Sequence, residues 1–420
     1  MHLAKPRYPR LPDIAPDAGK LVAIEDRIFT EPRIRVYACV LAVAWAFIVG
    51  WLLSGGWITR SCNIDFCWEW VTGVLAVKDP AQVYDVGRFV GWPEGRFPYP
   101  PTLILFLYPL GWMPYAIAFA VWIIATLLLY EAAIYAILPR TAAVVAALTP
   151  VTVAGNTLLG HNGFLTAGLI GLSLVFLERR PWLSGIFLGA LTYKPHFGIL
   201  FPLALLSSRN WRALGSATLT AAMLNMTATI AFGYKGWTIF IDTMLDRNSG
   251  LSTINDVEQR HQSIYGLLHW AGTTAWISWT VHLAVASVVI LAVCLVWAKP
   301  FPHSMKAAAL SIGSVAVTPY VLPYDLCILS IAVAFLVSDG LARGFLPGER
   351  IAMLICFAGL FLLLPPVGPV GPFIDAILLI LVVRRIVAYE RGRLPSLRPV
   401  LRRVEMCAPD GDAARQGVNA

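Results

Sequence analysis

The sequence predicts an all-α protein: a polytopic bundle of about 12 transmembrane helices (10–14), with two longer extracytoplasmic loops. Three observations carry this expectation. The chain is 58% hydrophobic and only 13% charged, where a soluble domain carries about 25% charged residues. Its mean hydropathy is +0.70. Apolar runs of about 17–25 residues recur, the length a helix needs to cross a bilayer. Backbone groups in lipid must bond within their own segment, and the short alternating segments of a barrel are absent, so the spans read as helices. The net charge of +8 gathers at the two ends, in Lys5, Arg7, Arg10, Lys20, Arg27, Arg33 and Arg35, and again in Arg384, Arg385, Arg391, Arg393, Arg398, Arg402 and Arg403. That distribution follows the positive-inside pattern rather than a nucleic-acid footprint. It places both termini in the cytoplasm and requires an even number of crossings.

The elements follow in order. Residues 1–35 form a basic tail without the apolar core of a cleavable signal. Span one runs from about Tyr37 to Trp57, and a polar, aromatic loop extends from Ile58 to Pro101. The stretch 101–114 is too short to cross comfortably. Further spans follow at 115–138, 141–157 and 163–178; 182–206 reads as two short helices interrupted by YKPH (193–196). Span 213–233 leads into a second long loop, Lys235 to Gln262. Spans 274–298, 307–319, 325–338, 351–364 and 373–389 complete a single membrane domain, 36–390, followed by a disordered tail, 391–420. With the basic groups at 140, 179–180, 209–212, 299–306 and 343–350 inside, every polar motif falls on the opposite face. Interrupted helices at membrane depth are tolerated where they line a cavity.

Several residues in that face carry candidate chemistry. Asp65 and Glu69, in CNIDFCWEW, share a helix face. They are either interfacial decoration among tryptophans or the seat of a general base acting on an acceptor hydroxyl. Cys62 and Cys67 leave a disulfide open. Tyr99 is held at the rim by the prolines of RFPYPPT. His161 and Asn162 occupy a turn, GHNG, that needs only the glycines. Lys194 and His196 lie in an apolar stretch, where a lysine is costly and marks a functional site unless it snorkels to the interface. Lysine suits a phosphate, as does Arg260 beside His261 and Gln262. Tyr324 and Asp325 follow in PYVLPYD, where helix capping alone explains the aspartate. Glu131 is the one clear acid deep in a span. The histidines are too scattered for a metal motif, and no nucleotide-binding loop is present, so no metal or cofactor is expected.

The order of an outer loop opening with Asp, F-x-YPP, GHNG, KPH-x-G-x-L, RNWR, HQS-x-x-GLL and PY-x-x-D-L resembles glycosyltransferase family 87 across roughly residues 35–390. The resemblance implies a GT-C fold in the bacterial plasma membrane, with the active site outside. It implies a polyprenyl-phosphate-linked sugar donor, mannose favoured, a lipid-linked glycan or cell-envelope acceptor, and inversion at the anomeric carbon. It implies a catalytic aspartate, which maps onto Asp65. The sequence departs from the family at GHNG and HQS, where relatives usually carry glutamine and asparagine in place of the two histidines. A multi-pass transporter or flippase would instead show paired mid-membrane charges and internal repeats. A non-catalytic scaffold would be indifferent to Asp65.

Overall fold

The computed structural model describes residues 16–54, 65–90, 97–245, 261–363 and 368–395. Within them the chain is all-helical, with no strand. A first helix, α1 (Pro16–Ile28), precedes α2 (Glu31–Ser54), so the second half of the basic N-terminal segment is ordered helix. Then come α3 (Phe66–Lys78), α4 (Pro101–Leu107), α5 (Tyr115–Ile137), α6 (Thr141–Ala147), α7 (Val151–Leu159) and α8 (Gly163–Phe176). The middle of the chain holds α9 (Pro181–Ala190), a single turn α10 (Pro195–Gly198), α11 (Leu200–Ser207), α12 (Trp211–Phe232) and α13 (Lys235–Leu245). The last part holds α14 (Ile264–Trp270), α15 (Ala275–Ala298), α16 (His303–Ala316), α17 (Cys327–Arg343), α18 (Glu349–Gly359) and α19 (Gly371–Glu390).

Among the described residues, three helical segments are each long and apolar enough to cross a membrane: α5, α15 and Pro323–Arg343, which contains α17. At 1.5 Å per residue, the 23 residues of α5 reach roughly 35 Å, past the hydrocarbon thickness of about 30 Å. A fourth crossing results if α6 and α7, bent by 64°, count as one. The bend falls at Pro150, which supplies no N–H to the ladder. The twelve crossings expected from hydropathy are therefore not reproduced at this standard. Several apolar runs are cut by proline and glycine into helices below spanning length, among them Gly163–Phe176 and Pro195–Ser207. The stretch 101–112, α4 and a 3₁₀ turn, is a short apolar arm below spanning length.

The outer surface is apolar where a soluble protein would be charged. Val40, Val43, Phe47 and Trp51 of α2 and Val288, Leu291 and Leu295 of α15 are exposed. Close helix contacts use small residues, as in other membrane bundles. A Cβ on Gly185 of α9 would lie 2.5 Å from the carbonyl oxygen of Ala213 in α12. The polar groups divide between two ends of the bundle. At the C-terminal end of α17, Arg385 is 1% exposed and joins Glu349 at 2.5 Å and Asp339 at 2.8 Å, with Arg343 also on Asp339. Here α1 docks: the Glu25 carboxylate accepts the N–H groups of Gly348 and Ile351 at 3.3 and 3.2 Å, capping α18. Asp26 pairs with Arg350 at 2.6 Å beside it. The sequence-predicted site residues that are described gather at the other end, where α17 begins.

Candidate functional site

Asp65 stands immediately before α3, and its backbone carbonyl accepts the Trp68 N–H at 3.0 Å, starting the helix. Its side chain is 62% exposed, and its Oδ2 lies 3.0 Å from Nε2 of His161. The two residues meet because the turn after α7 is built for close approach. Gly160 closes α7 with φ 75°, and a side chain there would strike the Phe66 ring, with Cγ at 2.9 Å. The start of α3 therefore rests against the GHNG turn. The indole of Trp122 donates to the Gly160 carbonyl at 3.0 Å and fixes the turn from α5. His161 in turn stacks on Tyr324, ring centroids 3.9 Å apart.

Beneath this exposed pair lies a buried polar group. Lys194 is 2% exposed; its Nζ donates to Oδ1 of Asp325 at 2.5 Å and to Oδ1 of Asn162 at 2.8 Å, and sits 4.7 Å from the centre of the Tyr324 ring. Asp325 uses its other oxygen to accept the Leu322 N–H at 3.1 Å. The lysine that hydropathy marked as costly is thus neutralised by a carboxylate rather than by snorkelling. Two of its three donors are committed inside the protein. Tyr99, carried by the extended YPP segment, places its hydroxyl 3.3 Å from that of Tyr324. Burial and the nearby Glu69 charge hold the Tyr99 hydroxyl well above its ordinary range.

Glu69 lies one turn beyond Asp65 on α3, a helix of 13 residues. It is only 4% exposed, and its Oε2 has no hydrogen-bond partner among the described residues. Burial, then the negative charge of Asp65, raises its carboxyl well above the usual carboxylate range. Of the two acids, Asp65 is the exposed one and Glu69 the buried one. The placement follows from α3 crossing the 101–112 arm backbone to backbone. A Cβ on Gly73 would lie 2.6 Å from the Leu107 carbonyl, and one on Gly111 would meet the Gly73 carbonyl. Cys67, buried in the same turn, is disulfide-bonded; Cys62 lies outside the described residues.

His196 and His261 flank the ring of Tyr320, with centroids at 6.3 and 4.6 Å. Nε2 of His196 is buried without a hydrogen-bond partner among the described residues. Gln262 plays a structural part. Its Oε1 accepts the N–H groups of Val370 and Gly371 at 2.9 and 3.1 Å, at the start of α19. Its own N–H donates to the Val321 carbonyl at 2.7 Å. Arg260 lies outside the described residues. Two site residues escaped the sequence reading. Tyr320 joins the histidines. Asn156, fully buried in α7, donates to the Tyr324 carbonyl at 3.1 Å and accepts the Gly163 N–H at 3.0 Å, tying GHNG to PYVLPYD. Its signal was visible: an asparagine inside an apolar span.

A lipid-facing helical bundle with an exposed carboxylate–histidine pair over a buried charge group at one end is a membrane protein with a polar site built from its broken helices. Residues 97–323, just over half of the chain, match the model of glycosyltransferase family 87, and the chain belongs to that family. It is a membrane glycosyltransferase. The match begins at Phe97, after Asp65 and Glu69, and covers His161, Asn162, Lys194, His196, His261 and Gln262. No curated protein and no solved structure matches the chain.

Proposed function

We propose that the protein transfers a sugar, mannose favoured, from a polyprenyl-phosphate donor to a hydroxyl of a lipid-linked glycan or cell-envelope acceptor. The reaction takes place on the extracytoplasmic face of a bacterial plasma membrane and inverts the anomeric carbon. The bond from the acceptor oxygen to the anomeric carbon forms as the bond from that carbon to the phosphate oxygen breaks. The acceptor proton passes to Asp65, and polyprenyl phosphate leaves. The observation that carries this reading is the Asp65–His161 contact at 3.0 Å with the carboxylate still largely exposed. A base must reach the hydroxyl it deprotonates, and Asp65 is the accessible acid of the site. His161 holds the carboxylate in place, and Tyr324 and Tyr99 wall the same region.

Charge on the departing phosphate falls to cationic side chains, which favour the developing charge. Arg260 and His261 are the candidates; His196, kept neutral by burial and the Lys194 charge, offers a hydrogen bond instead, and the reaction needs no metal or cofactor. Lys194 contributes as a fixed charge that holds Asp325 and Asn162, and with them the walls of the site. The test is transfer of radiolabelled mannose from polyprenyl-phosphate mannose by purified wild type and Asp65→Asn. General-base loss predicts a fall of about 10²–10⁴-fold. Equal rates would remove Asp65 as base; no transfer from any polyprenyl-phosphate sugar would remove the donor class.

A further inference from the structure

We propose that Glu69 reads a sugar hydroxyl beside the reacting carbon and makes the enzyme selective for substrates that carry it. The inference rests on the transfer reaction proposed above and adds a specificity residue to it. Three observations support it. Glu69 lies one helical turn from Asp65, close enough for the Asp65 charge to act on it, so a substrate held at Asp65 lies within a few ångströms of it. It is buried to 4% exposure with Oε2 unpartnered among the described residues, whereas the charged group beneath the site is satisfied: Lys194 bonds both Asn162 and Asp325, and Asn156 bonds Tyr324 and Gly163. A buried polar group without a partner is costly, and a site that keeps one is organised around a bound group. Third, the Tyr115 hydroxyl, close enough to feel the Glu69 charge, is also buried and unpartnered, and its ring packs on Phe66 and Trp70, either side of Glu69.

The chemistry of the group narrows the ligand. Burial and the adjacent Asp65 charge favour the protonated carboxyl. A neutral carboxyl offers one donor and one acceptor, and a hydroxyl offers the same pair. A phosphate, an acceptor only, would find less there. The hydroxyl belongs either to the donated sugar or to the acceptor sugar, and the experiment separates them.

Purified full-length wild type, E69L and E69D are assayed with polyprenyl-phosphate mannose and octyl mannoside. The same three are then assayed with the mono-deoxy analogues of each. Wild type is expected to prefer the parent over one analogue by about 10-fold or more in kcat/KM. E69L loses about that factor on the parent and no longer distinguishes the two. E69D, which withdraws the carboxyl by one methylene without changing its chemistry, loses the same preference; it carries the test if E69L does not fold. A donor analogue singled out assigns Glu69 to the transferred sugar, and an acceptor analogue assigns it to the acceptor. The proposal is overturned if wild type shows no preference for any parent, or if E69L or E69D keeps the wild-type preference throughout. It is overturned equally if the variants lose all substrates by one factor. Lost preference in E69L together with wild-type rates in Asp65→Asn would keep Glu69 as reader and remove Asp65 as base, so the two claims fail separately.

Discussion

Replacing Lys194 by methionine keeps the length and the apolar stem of the side chain and removes its charge. Asp325, 1% exposed, would then keep only the Leu322 N–H as a partner. Removing one partner of a buried ion pair costs about 3–5 kcal/mol, because the remaining charge is left uncompensated. At about 2 °C per kcal/mol, the lower end for large domains, Lys194→Met should melt roughly 6–10 °C below wild type in detergent. The pair itself is worth far less than that, since desolvating two charges offsets most of their attraction. Lys194→Met combined with Asp325→Asn should therefore recover at least half of the loss. The assay is thermal denaturation of the purified variants, read by intrinsic tryptophan fluorescence. A double variant that melts as low as the single one would refute the reasoning and assign the loss to packing. An unshifted single variant would refute the buried pair itself.

Two other outcomes follow from α3 and its neighbours. Gly111→Ala forces a methyl group into the Gly73 carbonyl, an overpacking that costs about 1–3 kcal/mol. Because the shift is transmitted to Asp65, transfer should fall by about 10-fold or more even at temperatures where the variant stays folded; wild-type kinetics would show that this crossing does not position the acid. The second outcome concerns pH. Glu69 holds its proton more tightly in the folded chain than at its ordinary value of 4.5. Its contribution to stability is thus complete below that value and is lost as pH rises through the folded-state value, by up to about 1.4 kcal/mol per unit between the two. Glu69→Gln removes this dependence. The melting temperature of wild type minus that of Glu69→Gln should fall from pH 5 to pH 9, and a flat difference would place the Glu69 carboxyl in the ordinary range.

The helical class was legible because it rests on composition and run length, which every part of the chain reports. The crossing count was less so. Hydropathy showed the YKPH break in 182–206 but not that 141–159 is bent by 64° at Pro150. For the site, the sequence marked positions by their cost. A lysine in an apolar stretch had to have a partner, but nothing local named Asp325, which is 131 residues away. Asp65 and Glu69 looked equivalent by spacing. Which one is buried depends on the crossing of Gly73 with Gly111, a contact between separate segments. The contact of Gln262 with the backbone of α19 was not legible, because a polar side chain near a motif carries no sign of which backbone it also holds. Asn156 was detectable as a polar residue in an apolar span. The Asp339–Arg385–Glu349 cluster was not, since its members each resembled ordinary interface charge.

The docking of α1 has a consequence for how the molecule is made. Glu25 accepts the N–H of a residue 323 positions later. At translation rates of about 5–20 residues per second, roughly 15–65 s separate the synthesis of the carboxylate from that of its donor. Throughout that interval the first helix has left the ribosome while its hydrogen-bond partners do not yet exist. The α1 helix is therefore among the last elements to find its place, because its docking waits for the start of α18. Attachments or deletions at the N-terminus, remote from the sugar chemistry, act on the final step of assembly.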